Sequence, residues 1–129
     1  MSLRAVLYRG REMMRKINDL NLITAIDHCC KLKGHRVGIF VPNIKDSAKI
    51  LEIIKDIFED LPEFQPYLQR INTAQCDSYI EFKNGSYIDF VSTSGYIRGL
   101  AFYEILYDER ITDKATQEAI LSTMRLRRE

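Results

Sequence analysis

The chain has 129 residues and a formal net charge of +1, which is long enough for a single domain with its own core. Hydrophobic residues make up 46% and charged residues 29%, and no apolar stretch approaches the roughly 18 residues of a membrane-spanning helix. The near-neutral charge gives no overall electrostatic reason to predict nucleic-acid binding, and the start MSLRAVLYRG lacks the apolar core of a signal peptide, so we expect a cytosolic protein.

The first half of the chain predicts a strand at Leu3–Tyr8, a helix from about Glu12 to Lys33 and a buried strand at Val37–Val41. The helix is predicted from apolar residues at spacings of three and four: Ile17, Leu20, Ile23, Ile26 and Cys30. Val37–Val41 is a continuous apolar run that Pro42 stops, which is typical of a parallel strand covered on both faces.

The three cysteines are Cys29, Cys30 and Cys76. An odd number without CxxC spacing predicts neither a disulfide framework nor a structural zinc site. His28, Cys29 and Cys30 are neighbours on the predicted helix, where successive side chains point about 100° apart and do not converge on one ion. We interpret them as ordinary helical residues.

The second half predicts a helix capped by Asp46 and ended by Leu61-Pro62, then a loop or short irregular helix from Glu63 to Asp77. The segment SYIEFKNGSYIDFVS predicts a β-hairpin, because Asn84-Gly85 tolerates the positive φ angles of a tight turn. Leu100–Tyr107 predicts another buried strand, although Glu104 interrupts its apolar run, and 113–124 predicts a last helix.

Alternating strands and helices with one hairpin predict an α/β layered domain over residues 1–129. Functional residues in such sheets lie at the carboxyl ends of the strands. Arg9-Gly10, Pro42-Asn43 and Asp108-Glu109 all follow predicted strands, so we expect them to lie at one edge of the sheet.

Asp108 and Glu109 end a predicted buried strand, an arrangement that suits nucleotide hydrolysis. The first carboxylate can hold Mg²⁺ through water, and the second can polarise the attacking water. The alternative is that Asp108 forms a turn or caps one, as acidic residues after strands often do.

A phosphate loop of the form GxxxxGK[ST] belongs at the first strand–helix junction. That junction reads Gly10-Arg-Glu-Met-Met-Arg-Lys16-Ile17. Gly10 and Lys16 keep the spacing, but Arg15 replaces the second glycine and Ile17 replaces the hydroxyl residue that would reach magnesium. A second register places Arg15 as the phosphate-binding cation. Either register predicts a damaged loop.

Three segments in register resemble the ATPase domain of the terminase large subunit, the DNA-packaging motor of tailed phages. HRVGIFVPNIKDSAKILEIIKDIFEDLPEF is similar to the family's second strand and following helix, and YIEFKNGSYIDFVSTSGYIRG to its hairpin with Arg98-Gly99. EILYDE is similar to its Walker B segment. The resemblance covers about residues 5–112 and includes neither the family's adenine-contacting motif, nor its coupling motif, nor its nuclease domain.

The resemblance implies a P-loop NTPase-like three-layer sandwich with a mostly parallel sheet. It implies Asp108 for magnesium and Glu109 for water activation, with Lys16 on the phosphates of ATP. Gly10, Arg11, Arg15 and Arg98 would assist nearby, and the alternative for Arg98 is a surface ion pair with Asp89 or Glu104.

The resemblance also implies partners and a location. These are double-stranded DNA, the phage portal and the small terminase subunit, with self-association as a further possibility and no membrane, in the cytoplasm of a phage-infected or prophage-carrying cell. Two functions stay open: the ATPase core of a packaging motor, truncated and with weak or absent hydrolysis, and a non-hydrolysing relative acting in assembly or in partner or DNA binding. A stable α/β fragment without activity is the third reading.

Overall fold

The computed structural model describes residues 13–74, 78–95, 97 and 99–126. Its elements in chain order are β1 (Met14–Lys16), α1 (Asp19–Lys31), β2 (Arg36–Val41), a 3₁₀ turn (Ile44–Asp46), α2 (Ser47–Asp60), a 3₁₀ segment (Pro62–Tyr67), β3 (Leu68–Asn72), β4 (Tyr79–Phe82), β5 (Tyr87–Ser92), β6 (Glu104–Tyr107) and α3 (Lys114–Leu121). The predicted strand at Leu3–Tyr8 lies outside the described residues. Within the described ranges, no helix has the length and apolar character needed to cross a membrane.

The six strands form one sheet in the order β1-β6-β2-β5-β4-β3. β1, β6, β2 and β5 run parallel to one another, whereas β4 pairs antiparallel with both β5 and β3. The predictions of an α/β class, a mostly parallel sheet and one β4–β5 hairpin are confirmed.

Helices cover both faces of the sheet. Val37, Ile39 and Val41 of β2 pack in the same cluster as the buried residues of α1 and α2, while Phe40 packs with Ile105 and Ile120 in a second cluster. This division follows from the alternation of side chains along a strand. The arrangement is compatible with the three-layer sandwich that we predicted.

The predicted helix start at Glu12 was wrong, because Met14–Lys16 forms β1 beside β6 and α1 begins only at Asp19. Asn18 is the N-cap, and its side chain accepts a hydrogen bond from the Asn21 backbone N–H at 2.8 Å. Pairing of this segment with β6 outweighs its local helical pattern. Leu20, expected on the apolar stripe, is 71% exposed as a result.

The hairpin turn has a second role that the sequence did not predict. Only Gly85 of the Asn84-Gly85 pair has a positive φ, of 87°. The Asn84 side-chain amide instead donates to the carbonyl of Cys29 at 2.9 Å, and the Ser86 hydroxyl donates to that of Leu32 at 2.7 Å. The turn therefore satisfies carbonyls that the end of α1 leaves without helical partners.

Three boundaries differ from the prediction. The segment expected to be a loop or a short irregular helix does contain the 3₁₀ segment Pro62–Tyr67, but it continues into β3, an edge strand whose sequence LQRIN has little apolar alternation. The last strand begins at Glu104 rather than at Leu100, and the last helix covers Lys114–Leu121 rather than 113–124.

Candidate functional site

The carboxyl ends of β1, β6 and β2 lie at one edge of the sheet, because these three strands are parallel neighbours. Asp108 directly follows β6, and its backbone N–H donates to the carbonyl of Phe40 at 2.9 Å. A cavity of about 480 Å³ opens at this edge. It is lined by Ile17, Asn18, Asp46, Lys49, Ile50, Asp108, Glu109 and Arg110. The predicted pair Asp108 and Glu109 thus borders a cavity at the expected edge.

Asp108 is held by Arg110, two residues further along the chain. Asp108 Oδ1 accepts from the Arg110 backbone N–H at 2.9 Å and from its Nε at 3.0 Å, and Oδ2 accepts from Nη2 at 2.7 Å. These bonds hold the pKa of the Asp108 carboxyl below its ordinary value, although partial burial opposes the shift. The turn-forming role that we gave as the alternative for Asp108 is therefore present in the structure.

Arg110 also joins Asp108 to a second carboxylate. Its Nη2 lies 3.1 Å from Oδ2 of Asp46, which stands at the start of α2. The same Asp46 Oδ2 accepts from the Asn43 backbone N–H at 3.1 Å. One guanidinium thus pairs with two carboxylates of the cavity, and a metal cation entering here competes with it for them.

Glu109 and Lys49 complete the charged lining of the cavity. Both are exposed, and among the described residues neither side chain has a hydrogen bond or an ion pair. A carboxylate and an ammonium in this state are available to water, to a cation or to an anionic ligand.

Arg15 and Lys16, predicted to lie in a phosphate loop, belong to β1. The prediction of a loop was wrong for residues 14–16, and only Ile17 and the cap Asn18 connect β1 to α1. This connection is closed by its own hydrogen bonds, since Ile17 N–H donates to Tyr107 O at 2.9 Å and the Asn21 side chain donates to Lys16 O at 2.7 Å. Phosphate binding by Arg15 and Lys16 stays a prediction.

The Arg15 side chain pairs with a buried carboxylate. Its Nη2 forms an ion pair with Oε2 of Glu104, whose carboxylate is fully buried at the first position of β6. His28 Nδ1 and His35 Nε2 lie 2.9 and 2.8 Å from the other oxygen, Oε1. In the sequence, Glu104 stands out only as an interruption of an apolar strand. A charge within such a strand has to be compensated, and that was the signal for this cluster.

Glu104 keeps its charge because of these partners. Burial raises the pKa of its carboxyl, but hydrogen bonds from His35 and His28 and the positive charges of His28 and Arg15 outweigh burial, so the net shift is downward. The cluster lies at the amino ends of β2 and β6, since His35 precedes the former and Glu104 begins the latter. Asp108 lies four residues further along β6, roughly 13 Å away at the usual rise per residue.

Gly10, Arg11 and Arg98 lie outside the described residues, so the structure does not place them at the cavity. No protein-family model matches the chain, and the search of curated proteins gave no match.

Chemically, the cavity offers two carboxylates around an exposed cation. Arg110 is 59% exposed, so its side chain can leave Asp108 and be hydrated by water instead. Asp46, Asp108 and Glu109 would then present oxygen ligands of the kind that Mg²⁺ prefers. With Arg110 in place, Asp46 and Asp108 are both paired with it, and Glu109 is the remaining carboxylate of the lining.

Proposed function

We propose that this chain is a terminase-ATPase-like α/β module that does not turn over ATP efficiently and acts in assembly by binding a partner protein or DNA. The observation that carries the proposal is the two-residue connection between β1 and α1. Phosphate loops bind by wrapping several backbone N–H groups around the phosphates ahead of a helix. Here Ile17 N–H is bonded to β6 and Asn21 N–H to the side chain of Asn18, so two of those donors are already used.

The state of Asp108 supports the same proposal. A magnesium-binding carboxylate works when its oxygens face the metal or its waters. Both oxygens of Asp108 accept from Arg110 instead. Catalysis of phosphoryl transfer depends on positioned cations at the phosphates, and in this chain the neighbouring cation Arg15 is engaged by Glu104.

The partners proposed here rest on the resemblance to terminases. They are the phage portal, the small terminase subunit, double-stranded DNA and a second copy of the chain, within a phage-infected or prophage-carrying cell. The net charge of +1 favours a protein partner over a non-specific DNA track, because non-specific DNA binding depends on many phosphate contacts from basic residues.

A hydrolysing ATPase core is the second candidate. The cavity of about 480 Å³ beside Asp108 and Glu109 favours it, since small ligands bind in concave sites where a few polar groups converge. In that case Mg²⁺ and ATP occupy the edge once Arg110 has moved aside.

Thermal unfolding with Mg-ATP or a non-hydrolysable analogue separates the two. A ligand that binds only the folded state raises the melting temperature by mass action. We expect no shift at millimolar Mg-ATP for the wild-type chain, and turnover at the background level in a phosphate-release assay. A rise of several degrees that Asp108→Ala abolishes and the exposed control Asp56→Ala retains would contradict this proposal and support the ATPase.

A further inference from the structure

The cluster at the amino ends of β2 and β6 has the composition and geometry of a metal site. Nδ1 of His28, Nε2 of His35 and the Glu104 carboxylate lie within 4.8 Å of one another. The residues come from α1, from the connection before β2 and from β6. The site therefore differs from the local run of His28, Cys29 and Cys30, which we did not expect to bind an ion.

We propose that His28, His35 and Glu104 bind a late first-row divalent cation, with Zn²⁺ the best match to two imidazoles and one carboxylate. Zinc bonds to nitrogen and oxygen are about 2.0–2.2 Å long, so neighbouring ligand atoms around a tetrahedral ion lie about 3.3 Å apart. The 2.9 and 2.8 Å that separate the imidazole nitrogens from Oε1 are close to that spacing. Each of these two distances has to lengthen by about 0.4–0.5 Å to match it.

The two carboxylate oxygens of Glu104 have different partners. Oε1 faces both imidazoles, whereas Oε2 is held by Arg15. A ligating carboxylate whose second oxygen is hydrogen-bonded is the usual outer-shell arrangement of metal sites. Arg15 thus fixes Glu104 as a monodentate ligand, and its charge balances that of the buried carboxylate before an ion arrives.

Access comes from the side of His28. The His28 side chain is 31% exposed, while those of His35 and Glu104 are 1% and 0% exposed. The backbone N–H of His35 donates to Ser86 Oγ at 2.9 Å, and its ring stacks on Tyr103 with centroids 6.1 Å apart, so this ligand is fixed in place. Three protein ligands leave a fourth position for water from the His28 side.

The neighbouring thiols of Cys29 and Cys30 are not members of the cluster, which consists of His28, His35 and Glu104. The ion would then join α1 to the sheet through His28 and Glu104.

Cobalt and zinc titrations of the purified chain test the site. Co²⁺ reports its ligands by visible absorption, and we expect intense d–d bands of a four-coordinate ion with no thiolate-to-cobalt charge-transfer band. We expect Zn²⁺ to raise the melting temperature by several degrees and equal Mg²⁺ to leave it unchanged, since magnesium prefers six oxygen ligands.

His28→Ala is the deciding variant, because His28 is the most exposed of the three ligands and its removal leaves His35 and Glu104 in place. We expect it to lose both the cobalt spectrum and the zinc shift, while Cys30→Ser on the same helix keeps them. His28→Gln serves as a second variant should far-UV circular dichroism show that His28→Ala does not fold. A thiolate charge-transfer band, a response retained in the His28 variant, or no response of the wild-type chain to either ion would overturn the proposal.

Discussion

At the scale of single residues, Glu104 is the one residue among the described Asp, Glu, Lys and Arg residues that is buried. Its carboxylate is fully buried, and isolated burial of such a charge is strongly unfavourable. Arg15, His28 and His35 surround it with one ion pair and two hydrogen bonds. With all of these side chains present, the attraction among their charges does little more than offset the free energy needed to remove them from water. Removal of one of them leaves a buried charge without its partner, which lowers the stability of the fold.

Glu104→Gln tests this arrangement. The glutamine amide has no negative charge to pair with Arg15. Its NH₂ group also donates hydrogen bonds, so it would face Arg15 or a histidine that is itself a donor here. We expect the free energy of unfolding at pH 7 to fall by about 3 kcal/mol, the lower end for breaking a buried pair because Arg15 is 28% exposed. Urea unfolding measures the loss, and the exposed variant Glu109→Gln should stay within about 0.5 kcal/mol of the wild type.

The pH dependence of unfolding supplies the control for that experiment. The pKa of Glu104 is lowered in the folded chain, so its contribution is complete above its ordinary value of 4.5 and is lost as the pH falls through the folded pKa. Wild-type stability should therefore decrease with acid below about pH 4.5, and the difference from Glu104→Gln should shrink over the same range. A difference that stays constant down to about pH 2 would show that packing, not charge, causes the loss.

At the scale of elements, the hairpin turn joins β4 and β5 to the end of α1. The Asn84 side chain donates to Cys29 O and accepts from the Ser86 backbone N–H at 3.0 Å. Because the bond to Cys29 connects residues 55 positions apart, the turn fixes the helix against the sheet as well as reversing the chain.

Asn84→Ala should lower the free energy of unfolding by about 2 kcal/mol, since it removes two short hydrogen bonds at roughly 1 kcal/mol each, together with two long ones of 3.4 Å to Cys30 O and Leu32 O. The matched control is Asn72→Ala, which removes one exposed bond to the backbone of Ala74 and should cost less than half as much. Equal losses in the two variants would mean that the Asn84 contacts to α1 add nothing to the turn itself.

Prediction from sequence succeeded where the local pattern of apolar residues agrees with the way the element packs in the folded chain. The apolar run of β2, the stripe of α2 and the alternation of β4 and β5 each specify an element that packs as the pattern indicates. Prediction failed at β1 and β3, because Met14–Lys16 and Leu68–Asn72 become strands only through pairing with β6 and β4. The intrinsic strand propensity of a segment carries no information about which strand it pairs with.

Sequence reasoning likewise predicted some residues of the candidate site and missed others. Asp108 and Glu109 were expected at the edge because a strand delivers them there, and they line the cavity. Arg110, which neutralises Asp108, gave no signal of that role, since an arginine after two acids is common on surfaces. The Glu104 cluster was missed because its members are up to 89 residues apart in sequence.

At the scale of the whole molecule, the sheet is more buried and more fully paired at its centre than at the edge formed by β3. β2 is paired on both sides, by β5 and β6, and five of its six residues are buried. Within the described residues β3 is paired only with β4, and its pattern includes two exposed and three partly exposed residues. Local opening is easiest where few buried contacts hold the backbone.

Hydrogen exchange followed by mass spectrometry tests this gradient. We expect peptides covering Arg36–Val41 to exchange most slowly, through global unfolding, and those covering Leu68–Asn72 to exchange many times faster, because an edge strand opens without disturbing the two packed clusters. The result also bears on self-association, since a second copy pairing with β3 would protect its amides. Fast exchange of β3 that does not change with protein concentration fits a free edge. Protection that grows with concentration would place an interface between copies at β3, and protection equal to that of β2 at every dilution would contradict the predicted gradient.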